Sequence, residues 1–161
     1  MDARARELIE TLRLERHPEG GYFREIFRSV EQLTPPDGRG RRAALTTIYF
    51  LLTSDDQSRW HQVDSDEVWH LYEGGPLELF EMSAAGDDLT RHVLARVGDG
   101  GAPVHTVVGR NWQAARSLGS YTLLGCTVGP GFDYKDFRML ADDADLSAEV
   151  RTAWPEVESL I

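Results

Sequence analysis

The run Trp60-His61-Gln62-Val63-Asp64-Ser65-Asp66-Glu67-Val68-Trp69-His70-Leu71-Tyr72-Glu73-Gly74 puts an imidazole and a carboxylate on either side of a short acidic turn. An imidazole changes charge near neutral pH and moves protons readily; a carboxylate beside it fixes its tautomer and raises its basicity. If the flanking segments are two arms of one hairpin, His61 and Glu67 can point to the same face and form one polar site. Alternation along the second arm puts Trp69 and Leu71 with Glu67, and Val68, His70 and Tyr72 on the opposite face. Trp69, Phe50, Trp60 and Trp112 offer rings on which a small amphipathic ligand stacks, with plain core burial as their competing role. Arg24 suits an anionic group, which a guanidinium holds bidentately, or a surface ion pair. Cys126 lies in an apolar stretch with no base adjacent in sequence and reads as a small buried hydrophobe, not a nucleophile. His17, His92 and His105 are scattered and carry no assigned role.

Strands must position these groups. From Ala43 to Phe137 short apolar or alternating segments are broken by turn residues: Ala44–Thr53, Trp60–Val63, Glu67–Glu73, Leu77–Met82, Leu89–Val97, Val104–Val108 and Tyr121–Val128. Ala44–Thr53 is apolar on both faces, as for a strand covered on each side or one lying at a subunit interface. Tyr22–Arg28 is a further strand, with Tyr22, Arg24, Ile26 and Arg28 on one side and Phe23, Glu25 and Phe27 on the other. Leu8, Ile9 and Leu12 mark a short helix that His17-Pro18-Glu19-Gly20-Gly21 stops. A second helix is predicted over Leu146–Ala153, with Asp145 as N-cap and Pro155 beyond its end. Strands at this spacing describe an all-β sandwich or barrel with small helices at the ends.

The chain has 161 residues, 41% hydrophobic and 27% charged, which suits a single folded domain over residues 1–161. Its 17 Lys+Arg against 27 Asp+Glu leave a net charge of −10, the wrong sign for nucleic acid or an anionic membrane surface. The one dense basic run, Arg39-Gly40-Arg41-Arg42, sits in a Gly/Pro-rich stretch and reads as a solvated loop. No apolar run approaches the roughly 20 residues that span a bilayer, and no secretory h-region follows the N-terminus. A single cysteine permits no intrachain disulfide and fits a reducing cytoplasm.

The His61–Gly74 run resembles the first motif of the cupin superfamily, His-x-His, three or four residues, Glu, six residues, Gly. Val63 stands where the second histidine belongs, and Asp55 where the motif opens with glycine. Val107–Arg116 is similar to the second cupin motif, with Gln113 at or beside its histidine position. His17–Glu25, Ile48–Leu52, Asp66–His70, Trp112–Ala115 and Gly125–Phe132 resemble, in order, the fifth cupin family, a family without a settled activity. The resemblance implies a cupin double-stranded β-helix, a jelly-roll barrel with a pocket inside it, that pairs as a homodimer.

Three readings of the pocket follow from the resemblance. Many cupins hold a divalent metal, and here the matching positions offer His61, Glu67 and Gln113. Two good ligands fall short of the three or four expected, so the reading is a pocket without a cofactor. Similarity to the metal-free sugar epimerases of the rhamnose pathway implies His61 as base, assisted by Glu67, with Tyr134 or Tyr121 as acid. The third reading is a binding module for a sugar-like or carboxylated metabolite. His61, Glu67 and Gln113 form its floor, Trp69 a wall and Arg24 an anchor. This binding reading is the expectation, with an epimerase or isomerase and a metal-dependent enzyme as alternatives.

Overall fold

The computed structural model describes all residues, Met1–Ile161. The chain opens with α1 (Ala3–Leu12), followed by β1 (Glu15–Arg16), β2 (Tyr22–Arg28), β3 (Gln32–Leu33) and β4 (Arg42–Ala43). Next come β5 (Thr46–Thr53), β6 (Gln57–Val63), β7 (Asp66–Gly74), β8 (Leu77–Met82) and β9 (Thr90–Leu94). The last elements are β10 (Val104–Val107), β11 (Trp112–Ser117), β12 (Tyr121–Gly129), β13 (Phe137–Met139) and α2 (Ala144–Ala153).

Asp2 caps α1, its carboxylate accepting from the amides of Arg4 (2.8 Å) and Ala5 (3.3 Å). The helix ends at Arg13, which adopts a left-handed conformation (φ 53°), earlier than the predicted stop at His17–Gly21. At the other end Asp143, not Asp145, caps α2 by accepting from the Leu146 amide at 3.0 Å. The polar start of β6 (Gln57, Ser58, Arg59) and the whole of β11 lie outside the predicted strands. They lack an apolar alternation; ladder pairing makes them strands, β11 lying between β6 and β8 and the start of β6 pairing with Ala115 and Arg116 of β11.

Two antiparallel sheets face each other, in the orders β1-β2-β5-β12-β7-β10 and β13-β6-β11-β8-β9. Between them lies a core that includes Phe50, Leu52, Trp69, Leu79, Leu124 and Ala115. On the outer side of the first sheet, Ala5, Leu8 and Leu14 cover Leu51 and Leu123. On the outer side of the second, Leu140, Val150, Val157 and Leu160 cover Trp60, Phe80 and Trp112. The two apolar faces of β5 are therefore both occupied by this chain itself, one by the barrel core and one by α1. No helix is long and apolar enough to cross a membrane.

Candidate functional site

The facing sheets leave a cavity of about 370 Å³ between β2, β5, β6, β7, β12 and β13. Phe23, Ile48, Phe50, Val63 and Phe137 form apolar walls; Glu25, Arg28, Asp133 and Tyr134 stand at the more exposed rim. His61, Glu67, Glu19, Thr46 and Cys126 are the buried polar lining, with His61 only 2% exposed.

His61 and Glu67 share the cavity, but the direct partner of the imidazole is Glu19. His61 Nδ1 lies 2.8 Å from the Arg59 carbonyl, which only accepts, so its partners place the proton on Nδ1. The other nitrogen, Nε2, faces Glu19 Oε2 at 3.1 Å. Two lone pairs do not share such a separation, so a proton lies between imidazole and carboxyl. Burial pushes Glu19 above and His61 below their ordinary values, which favours the neutral pair with the proton on Glu19. Ser58 donates to the other Glu19 oxygen at 2.8 Å. His17 Nδ1 stands 3.6 Å from Glu19 Oε2 and accepts from the Glu19 amide at 3.3 Å.

Glu19 reaches the interior because its loop is pressed against β6. Its backbone carbonyl accepts from the Arg59 amide at 3.0 Å, and the Pro18 carbonyl accepts from the Arg59 guanidinium at 2.7 Å. Gly20 adopts φ +118°, and a Cβ there would lie 2.0 Å from the Gln57 carbonyl oxygen. The Pro-Glu-Gly-Gly run therefore delivers a carboxylate as well as ending a segment, a role that sequence analysis did not assign. Its presence in the family-like segment His17–Glu25 was the available signal.

Burial pushes the Glu67 carboxyl up to about 7, against a smaller opposing pull from His61. Gln113 Nε2 donates to Glu67 Oε2 at 2.5 Å, while Gln113 Oε1 accepts from the Trp69 indole at 2.9 Å. Gln113 and Trp69 are thus positioning residues behind Glu67 and not part of the cavity lining. Trp69 is 1% exposed and packs edge-on to Phe50 within the core. Trp60 and Trp112 face the opposite side of their strands, under the C-terminal segment.

Arg24 does not line the cavity; Arg28 does. A register shift between Glu25 and Phe27 in the β2–β5 ladder breaks strict alternation, turning Phe23, Glu25 and then Arg28 inward. Arg28 donates to Glu25 at 3.0 and 2.6 Å and to the Phe132 carbonyl at 3.0 Å. Tyr134 stands at the rim, edge-on to Phe132, whereas the Tyr121 hydroxyl donates to Glu73 at 2.7 Å among residues packed under α1. Burial pushes the Cys126 thiol well up, so it lines the cavity as an inert, neutral group.

The cupin-motif positions do not fit a resident metal. Val63 has no donor atom, and both ends of the Gln113 amide are taken, one by Glu67 and one by Trp69. No three of the cavity's His, Glu and Cys ligand atoms lie within 4.8 Å of one another.

Residues 6–140 match the family described as "Cupin superfamily (DUF985)". A hypothetical protein from Leishmania major is similar at 33% identity over 98% of this chain and 96% of that one, with a TM-score of 0.83. A crystal structure of a Shewanella oneidensis protein is similar at 29% identity, covering 99% and 97% of the two chains, with a TM-score of 0.84. Oxalate decarboxylase from Bacillus subtilis shares the fold alone: 14% identity over 91% of this chain and 36% of that chain, TM-score 0.58. No curated protein matches the sequence. The barrel topology, the His61–Gly74 motif and the family match over residues 6–140 agree, and the chain belongs to the cupin superfamily.

Proposed function

We propose that this cupin binds a small hydroxylated metabolite, sugar-like or bearing one carboxylate, in the barrel cavity. One observation carries the reading: Glu19, His61 and Glu67 are buried together on a cavity of about 370 Å³, with no guanidinium or ammonium hydrogen-bonded to either carboxyl. Such groups are costly to bury, and their perturbed acidities cluster at functional sites. Neutral carboxyl and imidazole groups both donate and accept, which suits ligand hydroxyls, while the phenylalanine walls suit the C–H faces of a ring. A ligand carboxylate would turn to Arg28 at the rim, the one cation on the lining. The acidic balance of the lining opposes a polyanion.

A second reading is proton transfer on the bound ligand. It is favoured by Glu67 lying near neutrality, where it is both a fair acid and a fair base. Glu67 and the Glu19–His61 pair would act on the buried end of the ligand, with Tyr134 as donor from the rim. The binding reading also takes a second copy of the chain as macromolecular partner, no nucleic acid or membrane, and a cytoplasmic location. The net charge of −10 supports the exclusion of nucleic acid and anionic membrane, and the single, buried Cys126 supports the location.

The test is a thermal-shift screen with neutral sugars, sugar acids, nucleotide sugars and short carboxylates. A binder at 100 times its Kd stabilises the native state by about 2.7 kcal/mol. Wild type should respond to a hydroxylated ligand, and His61→Ala, Glu19→Gln and Glu67→Gln should each lose the response. Identical responses from wild type and all three variants would remove the cavity from the reading. Deuterium washed from solvent into the bound hit by wild type, and not by Glu67→Gln, would add catalysis to binding.

A further inference from the structure

A different group of ligands gathers on the far side of Trp69 and Gln113. Glu81 at the end of β8, His92 on β9 and His105 on β10 present one ligand atom each, all within 4.8 Å of one another. Glu81 is opposite Gln113 in the β8–β11 ladder, and His105 is opposite Trp69 in the β10–β7 ladder. Residues directly opposite in a ladder share a face, so both side chains point inward, beyond the Gln113–Trp69 pair as seen from the cavity. The cluster sits where the edge strand of one sheet, β9, meets the edge strand of the other, β10.

The geometry is that of a metal site in its essentials. His105 Nε2 lies 3.0 Å and His92 Nε2 3.5 Å from the same oxygen, Glu81 Oε2. In a tetrahedral zinc site with bonds of about 2.0–2.2 Å, neighbouring ligand atoms stand roughly 3.3–3.5 Å apart. The other Glu81 oxygen accepts from Asn111 Nδ2 at 2.7 Å, which fixes the carboxylate with Oε2 toward the imidazoles. The two imidazole rings stack at 3.7 Å between centroids, 25° from parallel. Each ring can offer one nitrogen lone pair to a metal. His92, His105 and Glu81 are 32%, 25% and 13% exposed, so solvent can reach a fourth position.

We propose that Glu81, His92 and His105 bind a divalent transition metal of the zinc class at the seam between the two sheets. The ion ties the paired strands β8 and β9 to β10 across a seam that, outside the isolated bridges Leu94–Ala102 and Val97–Gly101, lacks a continuous ladder. It uses none of the cupin-motif positions and is independent of the ligand proposed for the cavity.

The test uses the full chain, freed of any affinity tag and stripped with chelator, titrated with zinc chloride by calorimetry and checked by elemental analysis. One zinc per chain is expected, with at least a tenfold loss of affinity in His92→Ala, His105→Ala and Glu81→Gln. Asn111→Ala should weaken binding about tenfold by releasing the carboxylate. His61→Ala with Glu67→Gln should bind zinc as wild type does. Cobalt loaded into wild type should show the visible bands of a tetrahedral N/O site, a readout that does not depend on any variant folding. Absence of stoichiometric zinc, or zinc lost with His61→Ala and kept by His92→Ala and His105→Ala, would overturn the proposal.

Discussion

Glu67 shows how one buried carboxyl ties the site to the stability of the whole chain. Its acidity moves from an ordinary 4.5 up to about 7, chiefly because burial disfavours the charged form. The folded state thus holds a proton on Glu67 that the unfolded state releases at lower pH. Its contribution is fully present below about pH 4.5 and is lost as pH rises through about 7. A shift of that size corresponds to about 3 kcal/mol across the window. His61 and His17 run the other way, since burial lowers both and their neutral forms are favoured in the fold. Their contribution falls away as pH drops below the ordinary histidine value of 6.5. Glu67→Gln keeps the shape of the side chain and removes the titration. In urea denaturation across pH 4.5–8, wild type should therefore lose more stability on alkalinisation than Glu67→Gln, by about 3 kcal/mol. Parallel pH curves for the two proteins would show that Glu67 titrates normally in the fold.

At the scale of elements, most strands were legible because turn residues and apolar alternation mark them. Tyr22–Arg28 and Leu77–Met82 are read in sequence with the bounds found in the structure. What was not legible has specific causes. The register shift in β2 exchanged Arg24 for Arg28 at the cavity, and nothing in the composition of YFREIFR announces it. The loop His17–Gly21 reads as a stop, yet its burial depends on a long-range approach to β6 that local pattern does not encode. Trp69 shares the face of Glu67, as alternation predicts, but its indole N–H is taken by Gln113, so it packs as core. His92 and His105 looked unrelated at their spacing and meet only through the sheet edges. Gly20→Ala places a Cβ 2.0 Å from the Gln57 carbonyl oxygen in a backbone region that L-residues rarely adopt. The change should destabilise the fold by more than about 1 kcal/mol and displace Glu19 from His61. Denaturation midpoints measure the first effect. The second should appear as loss of ligand response in protein that remains folded. An unchanged midpoint would mean that the loop is not held against β6.

At the scale of the whole molecule, each sheet has its inner face on the barrel core and part of its outer face under a terminal segment of the same chain. This layering explains why strands such as β5 and β11 are buried on both sides without a partner subunit. Among the exposed apolar side chains, one group is gathered away from the outer face of β5: Phe27, Val30, Leu33 and Leu45 are all at least 37% exposed, with Val30 at 89%. They belong to one local unit, since the Ser29 amide donates to the Leu45 carbonyl at 2.9 Å and β3 pairs with β4 beside it. Isolated exposed apolar residues are ordinary, but several gathered in one segment are a feature of association surfaces. The homodimer implied by the family resemblance is therefore expected to use this unit in place of the outer face of β5. Sedimentation equilibrium of wild type should give twice the 18.1 kDa chain mass. Val30→Asp puts a charge on the most exposed of these side chains and should shift the population toward monomer without altering the far-ultraviolet circular dichroism, because Val30 packs against little of its own chain. A wild-type mass of 18.1 kDa at every concentration would remove the dimer. A dimer indifferent to both Val30→Asp and Phe27→Glu would move its interface off this segment.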